Sequence, residues 1–134
     1  MENSENPIIR LTFKFSLEII KYAEQLESIR KFIFSRQLLS SGTSIGANVM
    51  EAQSPQSKRD FNHKMKIAFK ELLETDYWLQ LCQKSDGFPP TGKLHEDLFE
   101  IRKVLNSIIS STTKNIRNKT PRKNNTQNNK PSGN

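Results

Sequence analysis

Arg59, His63, Lys66 and Lys70 follow one another at steps of four, three and four residues. An α-helix turns by about 100 degrees per residue. With Phe61 set at zero, these four side chains fall between about 140 and 200 degrees, a single basic stripe. Such a stripe can hold phosphate oxygens by charge and N–H donation, a contact that weakens with salt and reads backbone more than base. The plainer alternative is a solvated helix face balanced by nearby acids, and the same segment carries Glu71, Glu74 and Asp76. No aromatic–glycine platform of the single-strand-binding kind accompanies the cations.

Other chemistry finds little support. A di-iron bundle needs inward Glu residues and Glu-x-x-His on two helices. The two histidines, His63 and His95, are preceded three residues earlier by Asp60 and Gly92. Neither zinc spacing, a phosphate loop, a dinucleotide fingerprint nor a nucleophile elbow is present. Cys82, the single cysteine, falls on an apolar stripe and reads as a small core residue. The expectation is a protein that is not an enzyme and uses neither cofactor nor metal.

The formal net charge is +7, from 21 Lys and Arg against 14 Asp and Glu. Eight of those cations lie beyond Glu100, the last acid, which leaves 13 against 14 in residues 1–100. The excess therefore belongs to the C-terminal third. Residues 114–134 hold Arg117, Lys119, Arg122 and Lys123 among many Asn and a lone Ile116, and a disordered basic tail is expected there. It reads either as a solvated tail or as a nucleic-acid-binding arm. One cysteine fits a reducing cytosol. The start, MENSENPIIRLTFKF, lacks the basic and then apolar regions of a signal peptide, and no apolar run reaches membrane-spanning length. A cytoplasmic protein is expected, with no membrane partner.

The elements that must carry the stripe are helical by period. After a flexible lead-in over residues 1–7, Ile9, Phe13, Leu17 and Ile20 form one ridge and Ile8, Phe15, Ile19, Tyr22 and Leu26 a second. A break near residues 27–30 precedes a second helix with ridges Phe32–Leu39–Thr43–Met50 and Phe34–Leu38–Ile45–Val49. Its middle, SSGTSIGANV, is almost all small. Three forms compete for it: a loop, the turn of a helix-turn-helix, or a thin helix against which neighbours press. The second ridge keeps phase through Gly42 and Gly46, which favours the thin helix despite a cost of roughly 1 kcal/mol per Gly against Ala. A third helix is expected to start at Ser54–Pro55, bury Phe61, Met65, Ala68, Phe69, Leu72, Leu73, Leu79 and Cys82, and end near residues 85–87. A fourth, with Leu94, Leu98, Ile101, Leu105, Ile108 and Ile109, should run to about Thr113. The sum is an all-α, antiparallel up-down-up-down four-helix bundle over residues 8–113.

On the third helix Ile67, Glu71, Glu74 and Trp78 fall off the core sector, at about 220 to 280 degrees. A Trp there needs a cover. Either a neighbouring helix of the same bundle supplies it, or another subunit does, with the two Glu meeting cations across an oligomer interface; the second reading is preferred. Gln37 and Asn48 read as a buried amide pair that sets helix register, and Glu51 as an ion-pair partner of Arg36 or Lys58.

Gln37, Ser44-Ile45, Asn48-Val49-Met50-Glu51, Lys58-Arg59-Asp60-Phe61 and the run IAFKELLETDYWLQL from Ile67 to Leu81 together resemble the 23S rRNA intervening-sequence proteins. These four-helix bundle proteins count the accessory variability determinant of diversity-generating retroelements among their relatives. The likeness covers roughly residues 8–113. Ala52 stands where the family often has a glycine after the motif Glu, which argues against a left-handed cap at that point. The resemblance implies an antiparallel bundle that assembles into a ring, usually a pentamer, and RNA or DNA binding through basic outer surfaces. The functional expectation is a homo-oligomer that holds nucleic-acid backbone through Arg59, His63, Lys66 and Lys70 with the tail cations. Its rival is an adaptor that docks a protein partner such as a reverse transcriptase.

Overall fold

The computed structural model describes residues 1–119 and shows four helices: α1 (Pro7–Ser28), α2 (Phe32–Glu51), α3 (Lys58–Lys84) and α4 (Leu94–Lys119). Each packs against its two neighbours in the order α1–α2–α3–α4 and back to α1, so the up-down-up-down bundle is a square with α1 facing α3 across a diagonal. The core runs along its axis through Phe15, Ile19 and Leu26 of α1, Leu38, Ile45 and Val49 of α2, Met65, Leu72 and Leu79 of α3, and Ile101 and Leu105 of α4. No helix among the described residues is long and apolar enough to cross a membrane.

Local signals set the ends. Asn6 caps α1 by accepting from the Ile8 N–H at 3.2 Å, with Pro7 in the first turn, and the Arg10 guanidinium folds residues 1–6 back by donating to the Ser4 carbonyl at 2.9 Å. At the other end of α1, Lys31 N–H donates to Leu26 O at 2.8 Å and Arg30 N–H to Glu27 O at 2.9 Å. Arg30 sits between them at φ 63, the left-handed residue of a Schellman turn. The third helix starts at Lys58, not beside Ser54–Pro55. Gln53 and Ser54 still donate to carbonyls of the last turn of α2, and Ser57 is the cap: its Oγ accepts from Asp60 N–H at 3.0 Å while Asp60 Oδ2 accepts from Gln56 N–H at 3.1 Å. This is a variant of the capping box, in which the carboxylate reaches back to the N–H one residue before the cap. Ala52 keeps a right-handed conformation and is fully buried. α4 continues past Thr113 to Lys119, so Arg117 and Lys119 are helical and not part of an irregular tail. Arg122 and Lys123 lie outside the described residues.

α2 is one unbroken helix through the small-residue stretch, which excludes a helix-turn-helix there. The small residues are themselves the inner face: Ser35, Ser41, Gly42 and Gly46 are buried alongside Leu38, Ile45 and Val49. A Cβ on Gly42 would lie 2.9 Å from Ile19 Cγ2, and one on Gly46 3.4 Å from Thr12 Cβ. The hydroxyls in this seam are satisfied: Thr12 donates to Ile8 O at 2.7 Å, Ser16 to Thr12 O at 2.9 Å, and Ser35 crosses to Ala23 O of α1 at 3.0 Å. The ridge Phe32–Leu39–Thr43–Met50 is turned outward, with Phe32, Leu39 and Met50 exposed and Thr43 half-buried. Ile20 of α1 is exposed beside it, and Leu73 of α3, expected in the core, is 43% exposed.

Two stability measurements check this packing. Ile19 is fully buried and cannot step aside, so Gly42→Ala should lose about 1 kcal/mol despite the helix propensity it gains, while Gly46→Ala, with ordinary contacts, should gain up to about 1 kcal/mol. Opposite signs in urea unfolding are the expected outcome. Arg30→Gly relieves a left-handed non-glycine residue and should raise stability by about 0.5–1 kcal/mol in the same assay.

Candidate nucleic-acid interface

All four residues of the basic stripe, Arg59, His63, Lys66 and Lys70, are exposed on α3. With Phe61 again at zero, the α3 sector from about 100 to 200 degrees holds no carboxylate anywhere between Arg59 and Lys84. The acids of α3 lie to either side. Glu71 and Glu74 face the other flank, where burial and the Glu74 charge push the Glu71 carboxyl above its ordinary range. Asp76 lies 4.0 Å from His95 Nδ1 of α4 and accepts from Gln80 Nε2 at 2.9 Å.

The register of α4 brings a second set of cations to this face. Asn62, almost fully buried, donates through Nδ2 to Thr112 Oγ1 at 2.7 Å and to Thr113 Oγ1 at 3.1 Å. The Arg102 guanidinium stands 5.6 Å over the Phe69 ring. These contacts with the Asp76–His95 pair set the antiparallel alignment, and they bring Arg102 to the level of Phe69 and Lys70 and the last turns of α4, with exposed Arg117, to the level of the start of α3. Of the acids of α4, Glu96 lies on the face of Phe99 and Lys103, one turn before Phe99, and Asp97 leans the other way. Asp97 is raised first by burial and also feels Lys14 and Glu18 of α1 and Glu100 of its own helix. The result is a basic strip along the α3–α4 groove, mostly free of acids.

Sequence reasoning found the α3 half of this strip and missed Arg102 as a member, because its partner face depends on the pairing of two helices. It also missed Asn62. The available signal was a polar residue at about 100 degrees, on the edge of the apolar sector of α3.

The other singled-out residues are placed differently. Trp78 is half-buried and covered by α2 of the same chain: Phe34 meets it edge to face at 5.7 Å, and Phe88 packs on Phe34 at 5.0 Å. Trp78 Nε1 reaches Glu74 Oε1 at 3.5 Å, and Ile67 is half-buried. A second subunit is not needed to shield the indole. The proposed amide pair does not form. Gln37 is exposed, and Asn48 Nδ2 donates to the Ser44 carbonyl of its own helix at 2.8 Å. Glu51 pairs with Lys64 at 3.0 Å, not with Arg36 or Lys58, because Lys64 of α3 lies across from the end of α2.

Comparison with known proteins fits this geometry. The family model described as 23S rRNA-intervening sequence protein matches residues 4–107. A crystal structure from Bacteroides thetaiotaomicron, described as a protein with unknown function from the S23 ribosomal protein family, is 39% identical with a TM-score of 0.72. The likeness covers 76% of this chain and 97% of that one. No curated protein matches. Four helices in this order, with the match running from the cap of α1 well into α4, make the chain a member of the 23S rRNA-intervening sequence protein family.

Proposed function

We propose that this protein is a non-enzymatic, self-associating bundle that holds RNA or DNA by its phosphate backbone, with low sequence preference, on the α3–α4 face. The observation that carries the reading is the strip of exposed Arg59, His63, Lys66 and Lys70 continued by Arg102 and Arg117 across the groove, with no carboxylate in the α3 sector. Phosphate contacts of this kind release counterions, so each adds affinity at low salt and little base discrimination. Self-association multiplies such contacts by raising the effective concentration of the next site.

The surface best suited to self-association is the outward ridge of α1 and α2, where Ile20, Phe32, Leu39 and Met50 are exposed on adjoining helices. The same ridge supports a second reading, an adaptor that docks a protein partner. Kinship with the accessory variability determinant of diversity-generating retroelements would make a reverse transcriptase such a partner.

Fluorescence anisotropy with a labelled structured RNA, repeated in rising salt, tests the first reading. The triple variant Arg59→Glu, Lys66→Glu, Lys70→Glu should bind at least about tenfold more weakly, and its salt slope should fall by about one per phosphate contact removed. Its unfolding midpoint should stay near that of the wild type, because these side chains are exposed. Wild-type protein that binds neither RNA nor DNA at low salt would remove the reading. Light scattering tests the ridge. The double variant Ile20→Glu, Leu39→Glu should shift the wild-type oligomer to the mass of one chain, whereas a wild type already at that mass would exclude self-association.

A further inference from the structure

The basic strip does not end in charge. Toward the C-terminal half of α3 it runs into Leu73, Tyr77 and, across the groove on α4, Phe99, which are 43%, 60% and 59% exposed. Tyr77 lies at about 160 degrees in the frame used above, inside the same sector as Lys66 and Lys70, with Lys84 beyond it. Phe99 is one turn before Arg102, and Lys103 Nζ stands 5.0 Å over its ring. Trp78 packs against Tyr77 in a T-shaped contact at 5.8 Å, and Tyr77 remains largely exposed. Exposed aromatics among cations are poorly explained by a duplex ligand. A duplex keeps its bases stacked inside and offers an aromatic side chain nothing to stack on. An unpaired strand offers both a charged backbone and open base faces.

We infer that the α3–α4 groove is a single-strand site, with phosphates along Lys66, Lys70 and Arg102 and unpaired bases stacked on Tyr77 and Phe99. Charge complementarity selects this occupant over a protein: the apolar group is small, and Lys70, Lys84, Arg102 and Lys103 around it outnumber Glu96, the exposed acid one turn before Phe99, while Asp76 is engaged by His95 and Gln80. From Arg59 to Tyr77 the face is about 27 Å long at helical rise, room for a strand of several nucleotides. The Arg102 guanidinium, lying against Phe69, adds a planar cation beside the two rings. The assignment rests on the nucleic-acid reading above and narrows it from backbone binding in general to unpaired strands.

The test compares a labelled oligouridylate of about a dozen nucleotides with a hairpin duplex of equal phosphate number, binding to the full chain. Wild type should prefer the single strand. The double variant Tyr77→Ala, Phe99→Ala should lose at least about fivefold in single-strand affinity per ring, keep its duplex affinity and keep its salt slope, because stacking is uncharged. Tyr77→Phe should bind as wild type. Equal losses on strand and duplex, or none on the strand, would overturn the single-strand site while leaving backbone binding intact. Wild type that binds neither probe would take both readings down together. A change of oligomeric mass in the double variant, with unchanged affinity for the strand, would give the patch to a contact between chains and also overturn the proposal.

Discussion

A Cβ at Gly42 would meet Ile19 Cγ2 at 2.9 Å, inside any tolerated carbon–carbon contact. Ile19 fills the space that Gly42 leaves, and four residues later Gly46 lets α2 lie against Thr12 and Ser16 of α1. The two backbones can approach this closely because the facing hydroxyls bond within the seam and bring no unsatisfied polar group into it. With the seam fixed, the rotation of α2 about its axis is fixed as well. Ser35, Gly42 and Gly46 turn toward α1, Leu38, Ile45 and Val49 toward the bundle axis, and Phe34 toward α3. No inner surface is left for Phe32, Leu39 and Met50. The apolar outer face of α1–α2 is thus a consequence of the slender inner one.

That logic explains where the sequence could be read and where it misled. On α1 and α4 one apolar ridge each is inside, Ile8, Phe15, Ile19 and Leu26, and Leu94, Leu98, Ile101 and Leu105, so period and burial agree there, while Ile20 and Phe99 off those ridges are exposed. On α2 bulk and burial part company. The sequence shows two apolar ridges there and period alone does not say which one faces the axis, although the unbroken phase of Phe34–Leu38–Ile45–Val49 through Gly42 and Gly46 did identify a helix. At the start of α3 the sequence reading puts the cap at Ser54–Pro55, and the structure puts it at Ser57 with Asp60 three residues on. The later cap prevails because Gln53 and Ser54 N–H groups are still committed to α2.

The candidate site shows the same division between what one helix carries and what needs two. The stripe Arg59–His63–Lys66–Lys70 depends on the pitch of α3 alone and was legible as such. Arg102 and Phe99 join it through the pairing of α3 with α4, which rests on Asn62 reaching Thr112 and Thr113 and on Arg102 over Phe69. Periodicity along one segment contains no information on that register. Trp78 failed differently. Its angle on α3 correctly placed it off the bundle axis, but the choice between a neighbouring helix and a second subunit as its cover depends on how α2 and α3 pair, and that pairing puts Phe34 against the indole.

In a square bundle the α1–α2 face and the α3–α4 face lie on opposite sides, and the structure divides its surface along that line. The outward apolar ridge belongs to the first pair, whereas the exposed cations from Arg59 to Arg117 belong to the second. A contact made through the first face therefore leaves the second open to a charged ligand. The symmetry of such a contact follows from how the ridge is used. A face that meets its own copy closes as a two-fold pair, and a larger ring requires the ridge to meet a different patch on the next chain. The flank of α3 that carries Ile67, Glu71 and Glu74 lies on the α2 side of the helix, with Ile67 half-buried and the Glu71 carboxyl pushed up by burial and by the Glu74 charge. A neighbour's cation placed there would favour the charged form again.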